Sequence, residues 1–144
     1  MNLSEHFTLE ELTFSDYAVR NSIDNSPDDT TIEHLTILAQ GLEEIRSLLN
    51  SPININSGYR GILLNKALGG VTHSAHVDGY AADFTSRGFG TPEQIVRLIK
   101  DSGIKYDQVI YEGTWVHISF APTMRQESLL ATFSNGRATY SLFS

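Results

Sequence analysis

His76 and Asp83 stand seven residues apart in the stretch SAHVDGYAADF, with a glycine and alanines between them. Two readings fit that spacing. One is a turn entering a buried strand, its polar groups satisfied locally. The other is a pair of metal ligands whose third partner comes from elsewhere in the chain. There are no cysteines, so thiolate sites and disulfides are excluded and a metal must be held by His, Asp or Glu. His117, in TWVHISF, is the third donor the pattern offers. On a strand, Trp115, His117 and Ser119 share one face, while Val116, Ile118 and Phe120 share the other. The apolar set belongs to a core, which leaves His117 looking toward a cleft. Two imidazoles and one carboxylate suit zinc at about 2.0–2.2 Å, with a fourth position open to water. Structural zinc sites more often close all four positions with protein ligands, so the open set points to hydrolytic chemistry, in which zinc lowers the pKa of its water to about 7. His73, three residues before His76, is an alternative donor from the same segment. His34 falls on the polar side of a helical pattern and His6 has no neighbouring partner, so both read as surface or structural residues.

The elements that would position these groups mix helices and strands. Ile32, Leu35, Leu38, Leu42, Ile45 and Leu49 recur at steps of three and four, which predicts a long amphipathic helix capped at Thr30 or Thr31 and stopped at Asn50-Ser51-Pro52. TPEQIVRLIKDSG predicts a second helix, with Thr91 as cap, Pro92 in the first turn and Gly103 at the end. Thr8 with Glu11 forms a candidate capping box for a short helix near the N-terminus. ILLNKALGG reads as a short helix closed by Gly69-Gly70. PININSGYRG and GYAADFTS read as strands, the second buried and rich in small residues. YDQVIYEG and TWVHISFA read as a hairpin turning at Gly113-Thr114, and LLATFSNGRATYSLFS as another over Asn135-Gly136 with an open register. No regular βαβ repeat, internal repeat or low-complexity linker interrupts the pattern. The expectation is one α+β domain, residues 1–144, with an antiparallel sheet covered by helices.

Composition narrows the partners. With 40% hydrophobic and 10% aromatic residues, the 144-residue chain can fill a core. A net charge of −7 argues against nucleic acid as the main partner. No run approaches the ~18 apolar residues of a membrane span. The opening MNLSEHFTLEELTFSD lacks the basic start and apolar stretch of a signal peptide, so work outside the cytoplasm would need another route, such as phage lysis.

SAHVDGYAAD resembles the Ser-x-His-x-x-Gly-x-Ala-x-Asp pattern of the zinc D-alanyl-D-alanine carboxypeptidases. That superfamily also takes in vancomycin-resistance D,D-dipeptidases, phage L-alanyl-D-glutamate endolysins, lysostaphin and the hedgehog signalling domain. TWVHIS is similar to the strand bearing the last zinc ligand, and SGYRGILLNKALGG to the segment before the zinc motif. HFTLEELTFSD is similar to members with a short N-terminal helix. The resemblance covers nearly the whole chain to about Ala121. It implies Zn²⁺ bound by His76, Asp83 and His117. It also implies a peptidoglycan peptide substrate held by Arg60 and bordered by Ser74 and Trp115, with attack at the cell wall as carboxypeptidase or endopeptidase. Many relatives place a carboxylate three residues before the last histidine ligand, where this chain has Thr114. Glu112, five residues before His117, is the expected general base, with Asp107 in reserve and Asp78 a weaker candidate as an exposed turn residue. The departure at Thr114 keeps open a non-catalytic zinc module, or a structural phage or envelope component with a vestigial site.

Overall fold

The computed structural model describes residues 1–144. Its elements are α1 (Leu9–Thr13), α2 (Asp16–Arg20), α3 (Asp29–Leu49), β1 (Asn54–Ser57), α4 (Ile62–Ala67), α5 (Ala75–Asp78), β2 (Ala81–Thr85), α6 (Pro92–Ser102), β3 (Gln108–Tyr111), β4 (Val116–Ser119), β5 (Glu127–Ser134) and β6 (Arg137–Leu142). The six strands form one open sheet in the order β1-β2-β4-β3-β5-β6. All pairings are antiparallel except β3 with β5. The fold is α+β, as the element pattern predicted, with one parallel step in the sheet.

Capping chemistry sets the helix ends. Thr8 and Glu11 form the expected capping box of α1, and Thr91 with Gln94 forms one for α6, where Pro92 occupies the first turn. The start of α3 differs from expectation. Asp28, not Thr30 or Thr31, is its cap, accepting the Thr31 N–H at 2.8 Å. A carboxylate there also faces the positive end of the helix dipole, which a threonine hydroxyl cannot match. Asn50, with φ 49°, ends the helix in the left-handed conformation.

One sheet face packs on the helices. Leu35, Leu38, Leu42 and Ile45 of α3 and Ile95, Val96 and Ile99 of α6 meet Ala82, Phe84, Val109, Val116, Ile118 and Phe120 in the main core. Burial of side chains of this size contributes about 1.5–3 kcal/mol each. The opposite face carries Asp83 and His117 and stays open as a cleft. The C-terminal hairpin resolves into β5 and β6 paired from Leu129↔Leu142 to Ser134↔Arg137. Asn135 and Gly136 make its two-residue turn with φ of 51° and 75°, the backbone geometry that favours Asn-Gly in such hairpins.

Candidate metal centre

Strand alternation sends Ala82 and Phe84 into the core and Asp83 to the other face. Asp83 pairs directly with His117 across the β2–β4 ladder. Asp83 Oδ1 lies 3.0 Å from His117 Nδ1 and 3.2 Å from His76 Nε2. His76 arrives on α5, a single turn that Ser74 starts by accepting the His76 N–H at 3.2 Å and that Gly79 ends. One ligand atom from each of the three lies within 4.8 Å of the others, a group that could hold a metal ion. Both readings of the first motif therefore hold together: the segment is a turn entering a buried strand, and it brings two donors to one point.

The hydrogen bonds test whether a cation fits. His76 Nδ1–H donates to the Gly58 carbonyl at 2.8 Å, so a neutral His76 turns a bare Nε2 lone pair toward the Asp83 oxygen. Two acceptors at that distance repel unless a cation lies between them or the ring is protonated. A carbonyl behind a ligating histidine is also the usual outer partner that fixes the ring's tautomer and orientation. The donor set and its support thus fit zinc. Gly58 is forced by packing: a Cβ there would run into the Leu12 carbonyl, the same oxygen that accepts the Tyr59 N–H at 2.7 Å.

Burial and neighbouring charges pull against one another around the centre. Burial pulls the Asp83 carboxyl upward; without a metal, a protonated His76 that donates Nε2–H to it, together with the hydrogen bond from His117, outweighs burial and holds the group well below the usual carboxylate range. Glu112 is half-buried, and burial raises its carboxyl above the ordinary value, opposed by His117 and Arg60 and reinforced by Asp83. Burial lowers the Arg60 guanidinium, while Asp83 and Glu112 raise it. Arg60 Nε and Trp115 Nε1 are buried without a hydrogen-bond partner.

The cleft has a volume of about 680 Å³, and Arg60, Ser74, Glu112 and Trp115 line it together with the three donors. His73 and Asp78 also line it, both exposed. Asp107 borders the same cleft, but its oxygens are already engaged. Asp107, proposed as reserve base, is 2% exposed and accepts from Thr123 and from the Arg125 main chain and guanidinium, at 2.8–3.0 Å. Burial raises its carboxyl, but these bonds, led by the Arg125 side chain, bring it down to about 2. A carboxylate satisfied this fully has little affinity left for a proton. His34 is more than a surface residue: its ring stacks on Tyr80 at 4.2 Å and its Nδ1–H donates to the Asp78 carbonyl at 2.6 Å, tying α3 to the segment between His76 and Asp83. His6 is exposed and pairs with Glu43 at 2.7 Å. Thr123, Arg125, Leu129 and Tyr140 also reach the cleft, and none was singled out from the sequence. Period-two alternation could have placed Leu129. Tyr140 needed the hairpin register, which local pattern leaves open.

A donor set of two imidazoles and a carboxylate at the floor of an open cleft defines the protein as a candidate metal-dependent hydrolase. The match to family models makes that specific. Residues 5–119 match the model described as Peptidase M15, and the chain belongs to this family of zinc-dependent peptidases. None of the curated proteins compared with the chain matches it.

Proposed function

We propose that the chain cleaves a peptide bond in peptidoglycan stem peptides or cross-links, as a D,D-carboxypeptidase or endopeptidase acting at the cell wall. The observation that carries this reading is that Glu112 and Arg60 share one cleft with His76, Asp83 and His117. His76 Nε2, His117 Nδ1 and an Asp83 oxygen would hold zinc, which when bound polarises a scissile carbonyl and acidifies water. Glu112 takes the proton from the attacking water and returns it to the leaving amine, a task suited to a carboxylate whose pKa is raised. Arg60 carries a cationic fork able to hold a peptide carboxylate or carbonyl. Ser74, whose hydroxyl already accepts from His76 N–H, keeps its O–H free to donate to substrate. Trp115 borders the same space.

A second reading, a non-catalytic zinc module, draws on Thr114, which is exposed and cannot act as a base at the position where many relatives carry a carboxylate. Mass spectrometry of the products from purified sacculi, with and without chelator, separates the two. Chelator-sensitive release of a defined peptide supports the hydrolase and identifies the bond. Intact sacculi after treatment with the zinc-loaded protein support the module.

A further inference from the structure

We propose that Tyr140, on the C-terminal hairpin, is a substrate-contacting residue that donates its phenolic O–H to a main-chain carbonyl of the peptide lying beside Glu112. This rests on reading the cleft as a peptidase site, and it concerns a part of the chain beyond the residues 5–119 that the family model matches.

The sheet register places it. Asp83, His117, Ile110, Leu129 and Leu142 are successive cross-strand partners, one row running from the donor set to the far edge strand. The adjacent row pairs Ala131 with Tyr140. Tyr111 is level with Leu130, so continuing the parallel ladder by one residue brings Glu112 level with Ala131. Glu112 and Tyr140 are thus two strand spacings apart, roughly 10 Å between main chains. The residue between them is an alanine, which leaves the space over the sheet free for a long side chain to lean across. Tyr140 lines the cleft along with Glu112 and the donors.

Its surroundings suit a ligand better than a core. Tyr140 is 50% exposed, and Phe133 and Leu142, which alternation puts on the same face of the hairpin, are 54% and 78% exposed. The other face of the hairpin is the anchored one: Phe143 is buried in the main core and Leu130 packs against it. The hairpin is therefore held from behind and offers an aromatic, apolar wall with a single phenol next to the proposed base. Burial raises that phenol's pKa, helped by the charges of Glu112 and Asp83, so it stays a hydrogen-bond donor at neutral pH.

The test compares zinc-loaded wild type, Tyr140→Phe and Tyr140→Ala on a cross-linked tetrapeptide-pentapeptide muropeptide dimer, which carries the stem, terminal D-Ala-D-Ala and cross-link bonds together. Tyr140→Phe is expected to keep the wild-type melting temperature and zinc affinity and to lose roughly tenfold in kcat/KM, the scale of one hydrogen bond. Tyr140→Ala should lose more, because the wall goes with the hydroxyl. Unchanged kcat/KM in Tyr140→Phe overturns the proposal. If the wild type cleaves nothing, the hydrolase reading falls on its own, and calorimetric binding of the same muropeptide decides the role of Tyr140. Several-fold weaker binding by Tyr140→Phe upholds it; equal affinity, or no binding to either protein, overturns it.

Discussion

Asp83 and His117 are direct cross-strand partners, and a single carboxylate oxygen, Asp83 Oδ1, lies 3.0 Å from His117 Nδ1. Two of the three donors are thus set by sheet register rather than by loops. A slip of one residue in the β2–β4 pairing would turn one of them into the core. The third, His76, is aimed from behind by the Gly58 carbonyl. His117→Ala should consequently lose zinc affinity by more than the roughly 10–100-fold that outer partners of a metal site typically cost. Competition against a chromophoric chelator measures this. Chelation of the wild type should abolish hydrolysis and added zinc should restore it, whereas in His117→Ala zinc at the same concentration should not.

Glu112→Gln should retain zinc and lower kcat by roughly 10²–10⁴, the range for loss of a general base. Burial raises the Glu112 carboxyl in the folded protein, so the acid limb of the wild-type pH profile should lie above the ordinary glutamate value of 4.5. A carboxyl whose pKa is raised by folding favours the folded state at low pH and loses that contribution as pH rises. Neutral Gln escapes the loss, so the variant should melt at the wild-type temperature or higher at pH 7. Equal activity in Glu112→Gln would remove this residue from the base role.

Gly58→Ala tests the link between packing and the metal centre. A Cβ at this position meets main-chain atoms of Leu12, which cannot swing away as a side chain could. The local backbone must shift, and the carbonyl that orients His76 shifts with it. Expected are a destabilisation of about 1–3 kcal/mol from overpacking and a fall of roughly 10–100-fold in zinc affinity. Denaturant unfolding and zinc competition on the same sample read the two effects. Unaltered zinc affinity in a destabilised protein would separate the packing at Gly58 from the orientation of His76.

The parts legible in the sequence are those that repeat at short range. Period-two alternation put His117 on the open face and Val116, Ile118 and Phe120 in the core, and the three-four spacing of α3 marked its buried side. Caps were legible where one candidate stood alone, as at Thr8 and Thr91. In the run Asp28-Asp29-Thr30-Thr31 several residues compete for one cap, and the choice depends on where the chain enters from. Asp107 reads as a spare base in the sequence because its partner Arg125 is eighteen residues on, brought back by the parallel β3–β5 pairing. Parallel pairing needs a crossover and leaves no turn signature. The same crossover hid the contribution of the C-terminal hairpin to the cleft.

The Asp107–Arg125 pair predicts how the fold responds to acid. Arg125 Nε and Nη2 each lie 3.0 Å from an Asp107 oxygen, and Thr123 and Ser119 donate to the same carboxylate. These bonds overcome burial and hold the carboxyl at about 2, against 3.8 for a free aspartate. Between those values the unfolded chain binds a proton that the native protein does not, so the stabilisation is complete above about pH 4 and is lost as pH falls through about 2. With half of the Arg125 side chain in solvent, the contribution is about 1–2 kcal/mol. In Arg125→Met the buried carboxyl loses its main partner. The variant should be less stable than wild type by about this amount at pH 7, and the difference should shrink toward zero near pH 2. Urea unfolding of the two proteins at several pH values measures the difference directly and cancels the titration of other carboxylates. A gap that stays constant from pH 7 to pH 2 would mean that the Arg125 guanidinium stabilises the fold independently of the charge on Asp107.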